Sequence, residues 1–251
     1  MVLLLFVDLD PDLAALRPLA GFFVLRTEGA SAGSLPTLAQ AYVATSRDVS
    51  GNPLIFRVRK VATALRAPEP RVAASVTHQG LAARLWSVAL GCAALYGSVP
   101  DLDARLLHWD ADGSAPDDLW LTGVRPLPGT APTVADVVLH GHLVPLAAAL
   151  RVHHRLAPGL LRGNAASALA GAARELDRWA RRHGRTDVAV RARSLTAELL
   201  AHPLLAGAGT LTGSAFRRRS CCLYYRVPGG GVCGDCCFTR PPRSSPRASS
   251  G

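Results

Sequence analysis

Lysine is nearly missing from this 251-residue chain, with Lys60 the single lysine among 28 basic residues. Basicity carried almost wholly by arginine reflects a GC-rich coding bias as much as a binding role, so the net charge of +10 does not by itself assign an acidic partner. Also missing is any run of about 20 uninterrupted apolar residues, the length of a membrane span. The most apolar stretches are alanine-rich, helically periodic and broken by Arg, Gly or Pro. Met1 to Asp8 lacks a basic leader and a small-residue cleavage site, so no signal peptide is expected. There is no internal repeat, and no helix-turn-helix, RNA-recognition or finger pattern, which argues against nucleic acid as a partner. With 49% apolar residues the chain can bury a core without disulfides. The expectation is a soluble protein of a reducing compartment, the cytoplasm, in which paired thiols serve metal or redox chemistry.

Those thiols are concentrated. Five of the six cysteines lie between Cys221 and Cys237. Their pattern is Cys221-Cys222, ten residues, then Cys233-Gly234-Asp235-Cys236, with Cys237 as a surplus thiol. A two-residue spacing lets both sulfurs of Cys233 and Cys236 bind one metal. Adjacent Cys221 and Cys222 diverge in extended backbone, so both reach one centre only if the chain turns there or if the centre is large enough to present two positions. Pro228-Gly229-Gly230-Gly231 permits a sharp return, and Leu223 to Val232 is expected to form a hairpin between the pairs. The spacing fits structural zinc, an iron-sulfur cluster or redox thiols. From Arg217 onward seven arginines face one acid, Asp235, so six of the ten net positive charges surround the cysteines. A two-iron cluster on four thiolates has a formal charge of about −2, which nearby arginines would offset. From Arg240 onward the arginines read as a solubilising tail.

The fold class expected is α+β, predominantly helical, with a small β element and a C-terminal iron-sulfur loop module. Leu81, Leu85, Val88, Cys92 and Leu95 form an apolar helical stripe stopped by Gly97 and Pro100. A lone thiol on such a stripe reads as a small buried hydrophobe. A second helix carries Ala166, Leu169, Ala173, Leu176 and Ala180, with Arg174, Asp177, Arg178, Arg181 and Arg182 toward its outer face, and ends near Gly184. A third runs from Asp187 as N-cap to His202-Pro203. Leu106 to Arg125 reads as a hairpin or two short strands, and Gly129 to Pro132 as a break. The expected organisation is an α+β half over residues 1–130, a helical half over 131–215, the cysteine module over 216–238 and a disordered tail over 239–251.

Other motifs carry little. Gly29-Ala30-Ser31-Ala32-Gly33 has the form of a hydrolase nucleophile elbow but reads better as a small-residue turn. Asp8, Asp10 and Asp12 lack the glycine and glutamate of a calcium loop, and Asp110 and Asp112 read as turn residues. His153 and His154, adjacent on a helix, point to different faces and lack a Glu-x-x-His partner.

The segment Arg218 to Phe238 resembles the C-terminal signature of the FhuF-type ferric-siderophore reductases, particularly their actinobacterial members. Looser similarity runs upstream through Gly163 to Leu169, His142 to Leu146 and Arg71 to Ser75. The resemblance implies a [2Fe-2S] cluster on Cys221, Cys222, Cys233 and Cys236, which are the candidate metal-binding, cofactor-binding and catalytic residues. It implies one-electron reduction of ferric iron in a hydroxamate-type siderophore, with ferrous iron released, since hard oxygen donors hold Fe3+ far more tightly than Fe2+. Arg219 and Arg226 would tune the cluster and steer an electron donor such as a ferredoxin or a flavin reductase, while Tyr224 and Tyr225 are read as hairpin aromatics. Two other readings compete: a zinc-stapled binding protein without enzymatic activity, and a siderophore biosynthesis or transport accessory protein with a structural cluster. Peripheral membrane contact beside an importer is an expectation that no sequence feature supports.

Overall fold

The computed structural model describes residue 19 and residues 21–27, 34–43 and 51–242. Residues 8–12, the elbow-like 29–33 and the tail from 243 lie outside them. The architecture is α+β and predominantly helical, with three two-stranded antiparallel ribbons among the described residues.

The centre is a long helix built largely of small residues. After the short α1 (Leu38–Tyr42) and α2 (Pro53–Leu65), α3 spans Pro70–Tyr96 and is buried on nearly every face between Val72 and Ala94. Ala73, Ala74, Ala82, Ala89, Ala93 and Ala94 are fully enclosed, which lets neighbouring backbones approach closely. Cys92 lies among them as an inert core residue, and Gly97 ends the helix at φ 71°. Against α3 packs α5 (Pro158–Arg182), whose inner face runs from Leu160 and Gly163 through Ala166, Leu169, Leu176 and Ala180. The last helix, α6, spans Thr186–Ala201. Arg185 is its N-cap, so Asp187 is the second residue of the helix and pairs with Arg185 instead of capping.

Between α3 and α5 come two ribbons and a bent helix. β1 (Ser98–Pro100) pairs with β4 (Pro126–Pro128), and β2 (Leu107–Trp109) pairs with β3 (Leu119–Leu121) in the register His108 to Trp120. The second ribbon is the hairpin expected from the sequence, and Asp110 accepts the Asp112 N–H in its turn. Gly129 is a tight junction and not a slack break, because a Cβ there would lie 2.6 Å from the Gly97 carbonyl carbon. The helix that follows, α4 (Ala131–His154), changes to π-helical form over Asp136–Leu143 before Pro145, which has no N–H for the Gly141 carbonyl. By length and composition α4 is apolar enough to cross a membrane (mean hydropathy 1.5), a property the expectation from residue runs missed; half of that window is buried inside the fold, as in a core helix. Within the π segment, His142 Nε2 donates to the Leu102 carbonyl, and its Nδ1 accepts from the Tyr42 hydroxyl at 2.9 Å. A third ribbon, β5 (Gly209–Thr212) with β6 (Ala215–Arg218), was not expected; it leads directly into the cysteines.

Candidate metal centre

Strand alternation delivers the first residue of the site. In β6 Phe216 and Arg218 point inward while Ala215 and Arg217 are exposed. Phe216 packs so closely over Gly209 that a Cβ there would be 2.3 Å from its ring, so the ribbon needs glycine at that position. The chain then crosses the start of α5, where Ser220 Oγ donates to the Gly159 carbonyl at 2.7 Å. Ser75 of α3 donates to the Cys222 carbonyl at 2.7 Å. Immediately afterwards Leu223 adopts the left-handed conformation at φ 69°. This is the turn that the adjacent cysteines require. The link from Leu223 to Val232 is a compact loop containing a 3-10 turn at Tyr224–Arg226, and not a strand-built hairpin. Gly230 presses on the Tyr224 and Val227 carbonyls, at 2.6 and 2.8 Å from an added Cβ. Cys233 to Cys236 closes as a turn through the Cys236 N–H to Cys233 carbonyl bond, 3.0 Å, and is tied to β6 by the Arg218 N–H to Asp235 carbonyl bond, 3.0 Å.

This path gathers the thiols. The sulfurs of Cys222 and Cys233 are 3.5 Å apart. Backbone N–H groups point at two of the others, Leu223 at Cys221 Sγ (3.2 Å) and Phe238 at Cys236 Sγ (3.4 Å). Hydrogen bonds from the Cys221 and Cys233 thiols, with the nearby Arg218 charge, hold the buried Cys222 thiol far below its usual range. Cys221 and Cys233 are pushed up in return by that bonding and by burial. Burial and the neighbouring Cys236 side chain push up Cys237. No three His, Cys, Asp or Glu side chains among the described residues converge on a single ion position.

Behind the sulfurs lies a buried polar layer supplied by α3 and α5. Arg218 is 2% exposed; its Nη2 donates to Asn164 Oδ1 at 2.5 Å and to the Leu160 carbonyl at 3.3 Å, and its Nη1 to Gln79 at 3.4 Å. Asn164 donates in turn to the carbonyl and hydroxyl of Ser75. Gly163 makes room for this crossing, since a Cβ there would sit 2.2 Å from Ser220 Oγ and 3.0 Å from Arg218 Nη2. On the other side Asp235 accepts from Ser167 at 2.6 Å and pairs with Arg174 at 3.0 Å. Arg174 therefore holds the cysteine loop instead of sitting on an outer solvent face. Arg226 pairs with Glu69 at the start of α3 and lies over the Tyr225 ring, while Arg219 is exposed. The arginine whose charge reaches the thiols is Arg218, which the sequence reading passed over. Tyr225 stacks edge-on against Phe238, and Tyr224 is exposed.

The clustered thiols of this loop, the N–H groups aimed at two of the sulfurs and a buried cation beside Cys222 have the chemistry suited to an anionic iron-sulfide centre. Comparison decides its class. Residues 218–238 match the FhuF 2Fe-2S C-terminal domain. The FhuF-type segment begins at the inward Arg218 and ends at Phe238, so it takes in the whole cysteine loop and the [2Fe-2S] cofactor is that of this domain. No curated protein matches the chain.

Proposed function

We propose that this protein is a cytoplasmic ferric-siderophore reductase whose [2Fe-2S] cluster is held by Cys221, Cys222, Cys233 and Cys236. The observation that carries the reading is the FhuF-type match over a loop whose thiols are gathered around Cys222 and backed by a buried arginine. When bound, the cluster supplies one electron at a time. Ferric iron in a hydroxamate chelate takes that electron and becomes ferrous, and the weaker Fe2+ complex gives up its metal without cleavage of the chelator. An external reductant of the ferredoxin or flavin-reductase class restores the electron.

The chain's own part is electrostatic and positional. Cys222 sits under Ser75 and beside Arg218, so its charge is held in a dry, cationic pocket. Arg218 stabilises the more negative, reduced state more than the oxidised one, which raises the potential and favours uptake of the electron. Asp235, locked by Ser167 and Arg174, keeps the Cys233 to Cys236 turn on α5. The test is reconstitution of the chain with iron and sulfide in the absence of oxygen, followed by reduction and mixing with ferric desferrichrome. The reading expects about two irons and two sulfides per chain and stoichiometric formation of Fe2+. Zinc without labile sulfide would favour the zinc-stapled binding protein, and an intact cluster that transfers no electron would favour the accessory protein.

A further inference from the structure

A cleft of about 420 Å³ opens between α3, α5 and the cysteine loop, and Cys233 and Gly234 line it. We infer that this cleft, with Gly171 of α5 and Ala83 of α3 on facing walls, receives one face of an electrically neutral ferric chelate. The inference rests on the reductase reading for the identity and charge of the iron complex and adds its place.

Three observations support it. The cleft reaches a cysteine of the cluster loop, as direct electron transfer to bound iron requires. Its walls are largely apolar, with Phe22, Ala83, Ala168 and Ala172, and Phe22 is 44% exposed, offering a ring face to whatever enters. Its charged groups are already matched: Arg174 binds both oxygens of Asp235, at 3.0 and 3.2 Å, and Glu175 pairs with Arg178 at 2.5 Å. Among the described residues no uncompensated cation lines the cleft to hold a strongly anionic complex such as a ferric tris-catecholate. A ferric tris-hydroxamate, whose three anionic arms cancel the metal charge, needs none.

Gly171 gives the test its probe. A Cβ there meets nothing nearer than Arg174 Nη2 at 3.8 Å, so the fold accommodates a side chain that then occupies the cleft. Binding is measured by titration calorimetry of the cluster-loaded protein with gallium(III) desferrichrome, which matches the ferric complex in charge and shape but accepts no electron. The wild-type chain binds, and Gly171→Leu and Ala83→Leu each raise Kd at least about tenfold, or roughly 1.4 kcal/mol, with the visible absorption of the cluster unchanged. Absence of wild-type binding, or two variants that bind like wild type, overturns the inference, as does equal or tighter binding of the anionic gallium tris-catecholate. Gallium binding that follows these variants in a protein unable to reduce the ferric complex supports the cleft and removes the reductase reading alone.

Discussion

Arg218 and Asn164 are joined by a 2.5 Å hydrogen bond inside the protein, and no carboxylate among the described residues pairs with that guanidinium. A buried cation without an acidic partner is costly unless another negative group faces it. The Cys222 thiol is that group, held far below its usual range by hydrogen bonds from the neighbouring thiols with the Arg218 charge adding to them. Replacing Arg218 by Met removes one positive charge from beside the cluster. The expected outcome is a midpoint potential lower by on the order of 60 mV, the equivalent of a tenfold change for one electron. Redox titration followed by electron paramagnetic resonance reads it, and a potential that stays in place contradicts this role for Arg218.

Serine at Cys221, Cys222, Cys233 or Cys236 is expected to abolish the visible absorption and the bound sulfide. Serine at Cys237, or at Cys92 within α3, is expected to leave both in place. Loss of the cluster in Cys237→Ser with retention in Cys236→Ser would move the ligand assignment by one residue.

Gly163 and Gly80 are both helical glycines, yet their substitutions are expected to have opposite signs. At Gly80 an added Cβ meets nothing within 4 Å, and Gly80→Ala gains about 1 kcal/mol of helix propensity. At Gly163 the methyl group collides with Ser220 and Arg218, so Gly163→Ala loses stability despite the same propensity gain. Urea unfolding of the two variants measures the contrast; stabilisation at both sites would show that the cysteine module does not seat on α5 as described.

Asn164→Ala leaves the Ser75 carbonyl and an Arg218 N–H buried without this partner. The cost is expected to be about 1–3 kcal/mol for each group left unpaired, together with faster loss of the cluster to a chelator. A variant as stable as wild type would mean that water replaces the amide.

Burial lowers the His142 imidazole to about 4, and burial pushes the Tyr42 hydroxyl that bonds it far up, so the pair stays neutral as donor and acceptor. In the unfolded chain the same imidazole takes a proton near pH 6.5. Between those values the unfolded state binds more protons, so stability falls as pH drops, by about 1.4 kcal/mol per pH unit for this group. Urea midpoints at pH 7 and pH 5 test the slope, which is expected to flatten in His142→Gln.

Much of this arrangement was legible beforehand, for identifiable reasons. Helices α3 and α5 announce themselves because apolar residues recur every three or four positions and glycine follows each end, at Gly97 and Gly184. The ribbon at 107–121 shows through its Leu and Trp alternation. The cysteine cluster shows because soft ligands at such spacing have few other uses. The β5–β6 ribbon stayed hidden because Gly209 to Arg218 has little apolar alternation, Phe216 being its one buried apolar side chain. Arg218 stayed hidden because one arginine in a run of three looks like its neighbours until strand alternation turns it inward. Leu223 gave no sign of its left-handed backbone, since glycine is the residue that usually marks one. The segments Arg71 to Ser75 and Gly163 to Leu169 carried only a faint family likeness, and their role emerges in the fold: Ser75, Asn164 and Ser167 are where the helices grip the cysteine loop.

The most direct test of the account is an anaerobic single-turnover experiment with the cluster-loaded, dithionite-reduced protein and ferric desferrichrome, following cluster reoxidation by absorbance while an Fe2+ chromophore traps the product. The account predicts one Fe2+ formed per cluster reoxidised, in step with the absorbance change. A reduced cluster that persists beside unreacted ferric chelate would contradict it.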